Sequence, residues 1–169
     1  FKDLADNTFD FVVTFQVIEH IVNDDLYVKE IARVLKPGGK LIVTTPNRYM
    51  SLSRNPWHIR EYKPNELVSL LKKHFKSVNT QGVYGNKVVM DYYEKNKESV
   101  NKIMKYDVLN LQWILPRQIL QIPYDIMNRR NRKKLLESNT DLTAGIKSSD
   151  FFIKEVDDVS LDLFYIAEK

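Results

Sequence analysis

Three side chains that could act on a small ligand lie between Asn55 and Tyr62. His58 can gain and lose a proton near neutral pH, so it could serve as a general base. The planar guanidinium of Arg60 suits a carboxylate, phosphate or sugar, and Tyr62 could stack on an acceptor or hydrogen-bond to it. The segment therefore predicts a site for a polar acceptor that loses a proton. The alternatives are structural: His58 could anchor its loop by a hydrogen bond, and Arg60 could pair with Glu61.

A second polar group, consisting of Gln16, Glu19 and His20, follows an apolar run. The Gln16 amide offers both hydrogen-bond donors and acceptors. One carboxylate and one imidazole leave the shell of a divalent cation incomplete, so we predict no metal site. The chain contains no cysteine, which excludes disulfides and thiolate metal sites.

These side chains need a sheet to position them. The apolar run from Phe9 to Phe15 is typical of a strand buried on both faces of a parallel sheet. A helix should follow from about Asn23 to Leu35, because asparagine caps helices and the Lys-Pro-Gly-Gly turn at 36–39 ends them. Lys40 to Thr45 then forms a second strand, which completes a right-handed βαβ unit. Ligands of such sheets bind beyond the carboxyl ends of the strands, where the 55–62 segment begins.

Further elements are predicted from the spacing of apolar residues. Helix residues expected to be buried are Leu26, Ile31, Val34 and Leu35 in the first helix and Leu67, Leu70, Leu71 and Phe75 in a second. Two more strands are predicted, one from Lys76 to Val83 and one from Leu161 to Ala167.

Residues 84–154 predict a helical insertion rather than sheet. The domain prediction is therefore a core of residues 1–83, an insertion of residues 84–154 and a final core strand in residues 155–169. Within the insertion, the mostly apolar stretch 108–127 precedes a basic run, 129–134. Residues 108–134 could contact an anionic membrane peripherally, or they could form a helical cap with a solvated basic end.

The composition limits the possible partners. The net charge of +4 arises from 26 basic and 22 acidic side chains, a balance that favours no nucleic-acid partner. No apolar stretch is long enough to cross a membrane, and we predict a cytoplasmic location.

Phe9 to His20, followed by Ala32 to Val43, resembles the second half of class I S-adenosylmethionine-dependent methyltransferases. The resemblance lies in the apolar strand, the Glu19-His20 pair and the Lys-Pro-Gly-Gly turn, and it covers about residues 6–83 well. It implies an α/β, Rossmann-like sheet of which the chain supplies strands four to seven, with strand seven antiparallel between strands five and six. The family's glycine-rich cofactor motif is absent from the chain.

The resemblance also implies roles for individual residues. Residues after strand four line the methionine end of S-adenosylmethionine in this family, which assigns cofactor binding to Phe15, Gln16 and Val17. Phe15 and Val17 could instead be core residues. His20 could contact substrate or make a structural hydrogen bond. The implied activity is methyl transfer to a small-molecule, glycan or lipid-linked acceptor, preferably at oxygen, with His58 as the base and with Arg60 and Tyr62 as substrate contacts.

Two further expectations concern the chain as a whole. A sheet cut before strand four has an open apolar edge, so we expect roughly a hundred further residues before Phe1 in the natural protein. We expect this chain alone to be inactive, and a homo-oligomer could cover the edge. A non-catalytic, methyltransferase-like binding module stays open as the alternative function.

Overall fold

The computed structural model describes residues 3–107, 109–138 and 145–169. Strands and helices alternate through most of the chain. In order, they are β1 (Phe9–Phe15), α1 (Asp24–Val34), β2 (Leu35–Pro46), α2 (Pro64–Leu71), β3 (Ser77–Gly85), α3 (Lys87–Met104), α4 (Leu111–Ile114), α5 (Arg117–Ser138), β4 (Phe151–Glu155) and β5 (Asp162–Glu168).

The chain divides into two compact units. The first comprises Phe1–Met50, Ile59–Tyr84 and Ile153–Lys169, and it holds β1, β2, β5, α1 and α2. The second comprises Ser51–His58 and Gly85–Phe152, and it holds α3, α4 and α5. Among the described residues, no helix combines the length and the apolar character needed to cross a bilayer.

The five strands form one sheet in the order β1-β2-β5-β3-β4. β1 and β2 pair in parallel, whereas β5 runs antiparallel to both of its neighbours, β2 and β3. This confirms the predicted α/β fold and the predicted position of the last strand. The five-residue strand β4, at the end of the order, was not predicted, because its residues fall in a region assigned to helix.

Local signals explain the β1-α1-β2 unit. The Asn23 side chain accepts a hydrogen bond from the Leu26 backbone N–H at 3.0 Å and so caps α1. After α1, Leu35 pairs with Phe9, and regular pairing resumes at Lys40. The irregularity between them contains Gly38, whose φ of +78° lies in the left-handed region that glycine adopts without strain.

The core lies on one face of the sheet. Buried residues from β2, β5, α1 and α2 meet there, among them Leu41, Val43, Leu163, Tyr165, Ala167, Val28, Ile31, Leu67 and Leu71. Alternate residues of β5 are buried, as expected of a strand with one face in a core. Leu26, predicted to be buried, is instead 50% exposed, because the buried side of α1 runs through Val28 and Ile31.

The face of β1 that points away from the core is more exposed than predicted. Phe11, Val13 and Phe15 are 62%, 53% and 56% exposed, so within these residues the strand is not buried on both faces. The side chains that alternate with them point to the helical side, where the Thr14 and Tyr27 hydroxyls lie 2.9 Å apart in a hydrogen bond. β1 is one of the two edge strands of the described sheet, and it offers an apolar surface.

Candidate functional site

The turn after β1 holds a strained residue. Gln16 has a φ of 54°, a left-handed conformation that is uncommon for a residue with a side chain. Its backbone N–H donates to the Thr44 carbonyl of β2 at 3.0 Å, which continues the ladder beyond Phe15. The strand thus ends in a sharp turn at the carboxyl edge of the sheet, where parallel sheets bind their ligands.

The Gln16 side chain donates a hydrogen bond to the carboxylate of Asp162. Asp162 is the first residue of β5, and it stands opposite Pro46 of β2 and Val83 of β3. Burial raises the pKa of the Asp162 carboxyl; the bond from Gln16 lowers it, and the nearby carboxyl of Glu19 raises it further. The Gln16 amide and the Asp162 carboxyl therefore meet where β1 and β2 end and β5 begins.

Glu19 is almost completely buried and anchors the short helical turn after Gln16. Its Oε2 accepts a hydrogen bond from the Thr45 hydroxyl at 2.9 Å. Its backbone carbonyl accepts from the N–H groups of Ile59 and Arg60 at 2.7 and 3.2 Å. Glu19 therefore joins the turn after β1 to the segment that carries Arg60. The neighbouring His20 is partly exposed, with its Nε2 4.0 Å from Glu19 Oε1.

Arg60 and Tyr62 converge on Asp24, the first residue of α1. The Tyr62 hydroxyl donates to Asp24 Oδ2 at 2.6 Å, and Arg60 Nη1 lies 3.3 Å from the same oxygen. The Arg60 guanidinium also covers the Tyr62 ring, 4.7 Å from its centroid, and its Nη2 lies 3.9 Å from Glu66. About half of the Arg60 side chain stays exposed, so the guanidinium could still bind an anionic group.

Tyr62 does not offer the surface that the sequence suggested. Its side chain is fully buried, and burial together with the bond to Asp24 raises the pKa of its hydroxyl. An acceptor could not stack on a ring that Arg60 and the core cover. We therefore revise Tyr62 from a substrate contact to a residue that positions Asp24 and Arg60.

His58 belongs to the second unit, where Asn55 holds it. Asn55 Oδ1 accepts from the Trp57 backbone N–H at 3.0 Å, which turns its amide N–H toward His58. That amide donates to His58 Nε2 at 2.8 Å, so the neutral imidazole carries its proton on Nδ1. This is the loop-anchoring bond anticipated as the alternative role. His58 can act as a base through Nε2 only when Asn55 releases it.

The first unit thus brings Gln16, Glu19 and Asp162 together, with His20 and Arg60 on adjoining segments. Phe15 and Val17, which flank Gln16, are both partly exposed, so neither is a core residue here. Sequence reasoning missed Asp162 and Asp24. Asp162 opens an otherwise apolar strand, which is the signal that could have identified it.

Comparison with known proteins identifies the family. Residues 2–43 match the sequence profile of a methyltransferase domain. A probable S-adenosylmethionine-dependent methyltransferase of Mycolicibacterium smegmatis is 32% identical over 97% of this chain and 60% of its own length. The chain belongs to the class I S-adenosylmethionine-dependent methyltransferase family.

Other relatives agree with this assignment. A ubiquinone biosynthesis O-methyltransferase of Mesorhizobium japonicum is 41% identical over 28% of this chain and 20% of its own length. Among solved structures, a methyltransferase of Thermotoga maritima titled a possible histamine N-methyltransferase has a TM-score of 0.56 and 17% identity, and the match covers 99% of this chain and 58% of that one. This structural likeness supports the fold alone. The chain spans less than two thirds of the length of the curated relatives it matches.

Proposed function

We propose that the protein containing this chain transfers a methyl group from S-adenosylmethionine to a small-molecule, glycan or lipid-linked acceptor. The observation that carries the proposal is the turn after β1, where strained Gln16 and Asp162 meet at the carboxyl edge of the sheet. Because the chain belongs to a methyltransferase family, the reaction that we assign to this edge is methyl transfer. The predicted cytoplasmic location stays a prediction.

The polar groups at this edge suit the amino-acid end of the cofactor. An amide such as that of Gln16 can donate to a carboxylate, and an ionised Asp162 can accept from an ammonium group. Partly exposed Phe15 and Val17 could supply apolar contact on either side of Gln16. When bound, S-adenosylmethionine supplies a methyl group that its sulfonium already activates. The chain therefore needs to orient the two reactants more than to activate them.

We assign the acceptor atom to oxygen. A hydroxyl acceptor must lose a proton, and His58 is our candidate base. Its Nε2 would receive the proton once the hydrogen bond from the Asn55 amide is broken. The similarity to an O-methyltransferase over part of the chain supports this choice. Arg60 contacts Asp24 at 3.3 Å and Glu66 at 3.9 Å, and about half of its side chain stays exposed. It is the candidate for binding an anionic or hydroxylated part of the acceptor. His20 is proposed to contact the acceptor with its exposed imidazole.

The test is formation of S-adenosylhomocysteine by the full-length gene product with matched hydroxyl and amine acceptors. We expect turnover with hydroxyl acceptors, and a loss of roughly a hundredfold in kcat for His58→Gln. His74→Gln is the matched control, because His74 pairs with Asp25 at 3.2 Å at the far end of α2. Turnover restricted to amines would overturn the assignment to oxygen. Cofactor binding without turnover on any acceptor would favour the non-catalytic binding module.

A further inference from the structure

The outer side of α5 presents isoleucines to solvent. Ile119, Ile122 and Ile126, spaced three and four residues apart, lie on one side of the helix and are 58%, 72% and 53% exposed. Such a row is typical of the buried side of an amphipathic helix. The part of the second unit that the structure describes leaves all three side chains more than half exposed.

The inner side of α5 is fixed by a polar contact with α3. Asn131 is buried, its Nδ2 donates to Asn96 Oδ1 at 2.8 Å, and its Oδ1 accepts from the Ser99 hydroxyl. At 100° per residue, Asn131 lies about 140° around the helix from Ile126. The isoleucine row therefore faces away from α3.

Basic residues continue the same row. Arg130 and Lys133 follow Ile126 at four and seven residues, and both are exposed. From residue 117 to 134 the sequence has six arginine and lysine residues and one acid, Asp125. Asp125 accepts a hydrogen bond from the Trp57 indole N–H at 3.0 Å, and Glu137 lies 3.8 Å from Lys133. Lys133 thus has an acidic neighbour on the helix, and over residues 117–138 six cations outnumber two acids, so the helix keeps a net positive charge.

We propose that the α5 face formed by Ile119, Ile122, Ile126, Arg130 and Lys133 binds an anionic lipid surface. An interfacial helix needs apolar side chains that enter the acyl boundary and cations that meet the headgroups, and this face has both in one row. A protein groove would explain the isoleucines without requiring the cluster of cations, whereas an anionic bilayer explains both. Three isoleucines form a small apolar contact, so charge should dominate the binding. The inference rests on α5 and does not depend on methyl transfer.

The experiment is co-sedimentation of the full-length gene product with vesicles of phosphatidylcholine alone and of phosphatidylcholine with phosphatidylglycerol. We expect binding to the anionic vesicles only, and loss of that binding at high salt, because exposed charges are screened. Arg130→Glu with Lys133→Glu should lower the partition coefficient by at least about tenfold, since juxtamembrane cations attract anionic lipids additively. The matched control reverses two exposed lysines of α3, Lys87→Glu with Lys102→Glu, and should bind nearly as well as the unmodified protein.

A second variant separates the apolar part from the charge. Ile122→Ser with Ile126→Ser keeps every cation and should also weaken binding to anionic vesicles, because both side chains are exposed and fit the proposed contact. Unchanged thermal unfolding of all variants would show that the fold persists. Absence of vesicle binding, equal binding to neutral and anionic vesicles, or equal losses in the α3 control would overturn the proposal. The first of these results is the one expected if α5 instead faces a protein or another part of its own chain.

Discussion

At the scale of single residues, Gln16 combines backbone strain with a candidate ligand contact. Its positive φ is costly for a residue with a Cβ and is tolerated by glycine. The adjoining residues fix this conformation, since its N–H is held by Thr44 and its side chain by Asp162. Strain kept at the edge of a sheet is a common property of binding turns.

A pair of substitutions at this position isolates the strain. Gln16→Ala and Gln16→Gly both remove the amide, but only alanine keeps a Cβ at positive φ. We expect the free energy of unfolding of the alanine variant to be lower by about 1 kcal/mol than that of the glycine variant. Urea denaturation of the two variants provides the measurement. Equal stability, or a more stable alanine variant, would mean that the turn relaxes to an ordinary conformation.

Asp162 makes stability depend on pH. Burial raises the pKa of its carboxyl above the ordinary value of 3.8, so the folded state binds a proton more tightly than the unfolded state. The stability contributed by this group is therefore full below pH 3.8 and falls as the pH rises through the folded-state pKa.

Asp162→Asn removes this titration and keeps an oxygen that can accept from Gln16. We expect the variant to be more stable than the unmodified protein at neutral pH, with a difference that shrinks toward pH 3.8. Thermal unfolding across this range would show it. A difference that does not change with pH would indicate that Asp162 ionises normally in the folded state.

At the scale of elements, the segment after residue 58 is tied to the start of α1. The Tyr62 hydroxyl and Arg60 both reach Asp24, and the Glu19 carbonyl receives the N–H groups of Ile59 and Arg60. A hydrogen bond to a charged acceptor away from water contributes more to stability than a neutral one.

Tyr62→Phe tests this connection. The substitution leaves the ring in the core and removes the hydroxyl, so Asp24 loses its shortest hydrogen bond. We expect the free energy of unfolding to fall by about 1.5–3 kcal/mol, as for hydrogen bonds to charged groups. Tyr49→Phe is the control, because Tyr49 is half exposed, and it should change stability by at most about 0.5 kcal/mol. Equal effects of the two substitutions would contradict the proposed anchoring role.

Elements with local signals were predictable from the sequence. β1, α1 and α2 follow from local apolar patterns and from the residues that begin or end helices. The antiparallel last strand was predicted from the family resemblance instead. Non-local features were missed. Leu26 has helical spacing to apolar residues but lies off the buried side. Tyr62 is buried in the core with its hydroxyl bonded to Asp24, which is distant in sequence. The Gln16 and Asp162 pair likewise forms only when the first and last strands share a sheet.

At the scale of the whole molecule, the exposed apolar side of β1 is a candidate surface for self-association. Phe11, Val13 and Phe15 are exposed on an edge strand, and such edges pair readily with other chains. We expect the 169-residue chain by itself to self-associate with rising concentration. Val13→Lys should reduce this association, because a lysine on an edge strand opposes pairing. Sedimentation velocity would measure it, and a chain that stays monomeric without the substitution would contradict the prediction.

The proposed function requires that the edge of the sheet at Gln16 binds S-adenosylmethionine. The most direct measurement is isothermal titration of S-adenosylhomocysteine into the full-length gene product and its Gln16→Ala variant. We expect a dissociation constant in the micromolar range for the unmodified protein and at least about tenfold weaker binding for the variant, since one lost hydrogen bond to a charged group has that effect. Absence of binding by the unmodified protein would rule out this cofactor site, and equal binding by the two would remove Gln16 from it.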